Sequence, residues 1–96
     1  MYDNQGRWAE AEAAYQQSLA IYREFVDYHG EGQALVNLAL LRANQGDMAG
    51  ALTLAREALQ VLEATEDETA KERVRKLVTD WEQQAGAQQS KEGKRS

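Results

Sequence analysis

Asn4-Gln5-Gly6 returns unchanged as Asn44-Gln45-Gly46, and at the same spacing of forty residues Ala9 meets Ala49, Ala11 meets Ala51, Leu19 meets Leu59 and Asp27 meets Asp67. Gly86 lies forty beyond Gly46. A period of this length marks stacked helical units, each too small to bury its own apolar face and therefore covered by its neighbours. Gly6 and Gly46 suit the left-handed residue that ends a helix, and residues 9–22 and 49–62 then run without a breaker. Each period reads as helix, tight turn, helix, and the punctuation predicts helices at about 7–28, 31–45, 48–64 and 67–85.

The last of these has a capping-box start in Thr65 and Glu68, with Glu66 and Asp67 adding negative charge where the helix end is positive. Its Ala70, Val74, Leu77, Val78, Trp81 and Ala85 share one face, and Lys71, Glu72, Arg75, Lys76 and Asp80 share the other. One side suits a stack and one suits water, as a closing helix requires.

Gly6-Arg7-Trp8-Ala9-Glu10-Ala11 followed by Tyr15, Ser18 and Leu19, and Asn37-Leu38-Ala39 followed by Gly46-Asp47-Met48, Ala51 and Ala58, resemble tetratricopeptide repeats. Leu19, Ile21, Glu24, Asp27, Gly30-Glu31-Gly32 and Ala34 resemble the long, forty-residue form found in the spindle-orientation TPR–GoLoco adaptors and many bacterial regulatory proteins. The resemblance implies an all-α fold, antiparallel helical hairpins stacked as a short right-handed solenoid. On this register residues 1–86 form the repeat domain: a half repeat at 1–28, a full repeat at 31–64 and the closing helix at 67–85. Residues 87–96 have no apolar side chain larger than alanine and are expected to be a disordered tail.

Composition narrows the function. The chain of 96 residues has no proline and no cysteine, so neither a disulfide framework nor a thiolate metal site is expected. A net charge of −5 argues against a nucleic-acid footprint, which needs clustered lysine and arginine. No stretch approaches the roughly 20 apolar residues of a membrane span, and no signal peptide is visible. A soluble, cytoplasmic protein is expected.

Chemistry finds little support. His29, the only histidine, is expected in a turn beside Gly30 and has no second histidine or cysteine for a metal site. Glu63, Glu66, Asp67 and Glu68 lack the alternation and central glycine of a calcium loop. Glu10 with Glu12, and Asp80 with Glu82, lie two apart on helices and point in different directions. No nucleophile has a base nearby and no glycine-rich phosphate loop is present. No catalytic residue, metal or cofactor is assigned, and the chain reads as a binding module rather than an enzyme.

The resemblance implies a groove that takes extended or helical peptides, lined by the first helix of each repeat. Carried onto this chain, it comprises Gln33, Val36, Asn37, Leu40 and Asn44, with Arg73, Arg75 and Lys76 nearby on the last helix. Asn37 is expected either to hold a peptide backbone or to hydrogen-bond between repeats. The cations either hold an acidic partner group or pair with Glu72 and Asp80.

Three oddities accompany this. Arg42 stands where the family has a large apolar residue, opposite Ala55, so either its stem covers Ala55 with the head in water or its charge anchors a partner. Residues 34–43 are apolar nearly all round, so flanking helices, a peptide or another protomer should cover Val36, Leu40 and Ala43. Finally, the chain begins mid-repeat, leaving Trp8, Tyr15, Leu19, Tyr22 and Phe25 short of a hairpin partner, from which a homodimer is expected. A structural dimerisation role for a larger regulatory protein is the alternative to peptide binding.

Overall fold

Three aspartates set the chain's geometry. Asp27, Asp47 and Asp67 stand twenty residues apart, and the Oδ1 of each accepts the backbone N–H three residues on, from Gly30 at 3.1 Å, Gly50 at 2.9 Å and Ala70 at 3.1 Å. An aspartate here satisfies one of the N–H groups that the first helical turn leaves unpaired, so each begins a helix. The computed structural model describes the backbone of residues 4–95 and the side chains of residues 7–85. Its elements are α1 (Asn4–Glu24), α2 (Tyr28–Asn44), α3 (Met48–Leu62) and α4 (Glu68–Arg95).

The first two turns share one construction. Asp27 N donates to Tyr22 O at 2.8 Å and Asp47 N to Arg42 O at 2.9 Å, while Val26 N and Gly46 N donate to the carbonyls three residues back. This is the paired closure that a left-handed residue allows at a helix end. Gly46 has φ +88° and Val26 has φ +54°. Glycine meets that requirement freely, whereas a β-branched residue meets it under strain.

Here the structure corrects the expected boundaries. The turn after α1 lies at residues 25–27 rather than at His29 and Gly30, and both of those residues belong to α2. Gly30 is a close-approach residue: a Cβ there would enter the Tyr22 ring. Gly32 does the same for Leu62, whose Cδ2 lies 2.6 Å from where a Cβ would stand. The start of α4 is also corrected, because Asp67 rather than Thr65 caps it. The Thr65 hydroxyl instead donates to Leu62 O at 2.7 Å and closes α3. The backbone of α4 is helical to Arg95, beyond the expected end at residue 85, with no proline to stop it and Ala, Gln, Lys and Glu favouring helix. The side chains of residues 86–96 lie outside those described, and with them the expectation that this tail buries nothing.

The helices pack in chain order as antiparallel neighbours. Glu12 Oε2 meets Arg42 Nη2 at 2.6 Å and Glu31 Oε2 meets Arg23 Nε at 2.9 Å, so α1 and α2 are pinned at both ends. Arg23 also reaches Glu57 Oε2 at 3.2 Å, joining α1, α2 and α3, and the nearly buried Glu31 carboxylate is thereby satisfied. Arg56 to Glu82 at 2.6 Å links α3 with α4. Ala39, Ala51, Ala55 and Ala58 are fully buried, which lets α2 and α3 approach closely, and Leu35, Leu38, Leu62, Val74, Val78 and Trp81 fill the space around them.

Candidate peptide-binding face

With α1 on one flank and α3 on the other, α2 buries Ala34, Leu35, Leu38, Ala39 and Leu41. That accounts for its nearly all-round apolar sequence. The remaining stripe, at the i, i+3, i+4, i+7, i+11 spacing of one helical face, is Gln33, Val36, Asn37, Leu40 and Asn44. Gln33, Leu40 and Asn44 are exposed, and Val36 and Asn37 are half-buried. The flanking helices therefore cover Val36 and Ala43 in part, and leave Leu40 42% exposed.

Arg42 does not join this stripe. Its guanidinium donates from Nη2 to Glu12 Oε2 at 2.6 Å, which ties the partly exposed head group to α1.

On α4, Arg73, Arg75 and Lys76 are all exposed, and among the described residues none lies within ion-pair distance of a carboxylate. Together with Thr69, Glu72 and Thr79 they line a shallow open hollow of about 630 Å³. Sequence reading does not single out the two threonines as part of this surface, although Thr69, Arg73, Lys76 and Thr79 share one helical face by spacing alone. The structure groups the three cations with one another. The hollow's described lining contains no α2 residue, so the α4 hollow and the α2 stripe are separate patches.

The two are tied at one end. His29, in the first turn of α2 and not in a turn, places Nε2 2.8 Å from Oδ2 of Asp67. Asp67's carboxyl is held below its ordinary value, chiefly by the Ala70 N–H and then by the hydrogen bond with His29, with a smaller contribution from the charge of Arg73. By the forty-residue register Arg73 and Lys76 correspond to Gln33 and Val36 of the stripe, whereas Arg75 corresponds to the buried Leu35.

A family model described as tetratricopeptide repeat matches residues 1–88. The chain belongs to the tetratricopeptide-repeat family. Neither the comparison with curated proteins nor that with solved structures produced a match. Tetratricopeptide repeats generally mediate protein–protein interaction. Among the described residues no group of three or more histidine, cysteine or acidic side chains is arranged to hold a metal ion, and no helix is long and apolar enough to cross a membrane.

Proposed function

We propose that this tetratricopeptide-repeat chain is a protein-interaction module that takes a partner's peptide segment along the outward stripe of α2. Leu40 carries the reading. In the middle of a helix buried on both flanks, it is a large apolar side chain left 42% exposed, bordered by half-buried Val36 and Asn37. An apolar anchor beside an amide able to donate and accept is the minimum that an extended or helical ligand needs. Gln33 and Asn44 extend the stripe, and Arg73, Arg75 and Lys76 supply charge-assisted hydrogen bonds for acidic groups on the ligand.

Selection from a displayed random-peptide library tests this. The selected peptides should combine an apolar anchor with acidic residues, lose affinity at least tenfold against Leu40→Glu and Asn37→Ala, and weaken with salt. Binders indifferent to both substitutions would refute the site. A second role, dimerisation of a larger protein, is favoured by the exposed Ile21, Phe25, Val26 and Tyr28 around the α1–α2 turn.

A further inference from the structure

Among the described residues, the large apolar side chains left exposed are Leu40 and four that fall within residues 21–28: Ile21, Phe25, Val26 and Tyr28. Phe25 is 74% exposed and Val26 60%. The exposure belongs to the turn itself and not to what precedes α1. Val26 and Tyr28 flank the capping Asp27 as Glu66 and Glu68 flank Asp67, and both glutamates are exposed although α3 is packed between α2 and α4. Where the later turn has glutamates facing water, the earlier one has a valine and an aromatic ring.

Val26 adds a second cost at the same place. It holds φ +54°, in the region that Gly46 occupies at φ +88° in the next turn, and valine reaches that region only under strain. Wet apolar area and a strained β-branched residue both weigh against folding, so folding alone explains neither. A partner that buries Val26 and its neighbours explains both.

The surrounding charge selects that partner. Glu24 lies within the patch, and the contact of His29 with Asp67 brings the α3–α4 turn alongside, with its Glu63 and Glu66. These carboxylates are exposed, and among the described residues none has a cation within ion-pair distance. Arg23, the one cation of residues 21–28, is already held by Glu31 and Glu57. An apolar centre with an acidic rim repels an anionic lipid surface, and a second copy presenting the same edge sets carboxylate against carboxylate. A basic segment meets the centre and the rim together. We infer that the α1–α2 turn is a docking surface for a partner segment whose aromatic or aliphatic anchor is flanked by lysine or arginine. This surface is separate from the α2 stripe and does not rest on the peptide site proposed there.

The test uses the full chain. Displayed random peptides that bind it are sorted by whether Phe25→Ser, a change at an exposed side chain, abolishes their binding. Peptides lost on Phe25→Ser should carry an apolar anchor between lysines or arginines, bind at least tenfold more weakly to a chain with Glu24→Lys and Glu66→Lys, and be indifferent to Leu40→Glu. In amide NMR spectra they should shift residues 21–28 and leave residues 36–44 in place. Val26→Asn separates binding from folding, since it should raise the melting temperature and still weaken these peptides. Peptides governed by Leu40 report on the α2 stripe alone. Finding no peptide that depends on Phe25, or only ones with acidic flanks, overturns the inference. A dimer in sedimentation that Phe25→Ser dissociates also overturns it, by giving the patch to a second copy, as does Phe25-dependent binding to phosphatidylserine vesicles, which gives it to a lipid surface. Should Phe25→Ser lose helical circular dichroism, the charge-reversed chain makes the same sort.

Discussion

Asp67 joins two helices at once: its Oδ1 accepts the Ala70 N–H at 3.1 Å and its Oδ2 lies 2.8 Å from His29 Nε2, thirty-eight residues away. The folded carboxyl titrates below its ordinary value, so the unfolded chain binds this proton more readily. Asp67's contribution is fully present above the ordinary aspartate range and is lost as pH falls through the lower folded value. Melting curves between about pH 2 and 6 should therefore decline less steeply for Asp67→Asn than for the wild type. Near neutral pH, Asp67→Ala should melt below Asp67→Asn, because asparagine still caps. Identical acid limbs for wild type and Asp67→Asn would contradict the pairing.

Ala39 and Ala51 are both fully buried where α2 and α3 approach. Leucine at either position should cost about 1–3 kcal/mol in urea unfolding, because the interface has no volume for the added methylenes. Unchanged midpoints would mean that the two helices approach at other residues.

Gly30 faces the Tyr22 ring without space for a Cβ. Gly30→Ala should destabilise the fold despite alanine's better helix propensity. Combining it with Tyr22→Ala should cost less than the two single changes summed, since the removed ring makes the space. Strict additivity would exclude the contact.

Val26 and Gly46 hold the same left-handed position in successive turns, and only one of them is suited to it. Val26 is largely exposed, so Val26→Asn loses little burial and should raise stability by about 1 kcal/mol. Gly46→Val should do the reverse, and a pair of thermal melts checks both.

The all-helical class and the helix count are legible in the forty-residue recurrences and in Gly46. The α2 stripe follows from the family resemblance rather than from spacing, and its Gln33, Leu40 and Asn44 are exposed beside the buried leucines. The errors have one origin, which is that local signals resemble one another. Gly30 has the composition of a turn, but its cause is a ring on another helix. Valine is a residue type rarely placed in a left-handed turn, so the true turn carries no marker. Thr65 and Glu68 imitate a capping box two residues ahead of the aspartate that starts the helix. Arg42's partner Glu12 depends on how α1 aligns with α2, thirty residues apart, and no local pattern encodes that.

Helices packed in chain order have a kinetic consequence. The contacts between helices join mainly neighbours in the chain, so folding should be fast, starting in the α2–α3 hairpin where the fully buried alanines lie. Opening should then proceed from the outside inward. Native-state hydrogen exchange should find the amides of α2 and α3 protected longest, with α1 and the far end of α4 exchanging through separate, lower-energy openings.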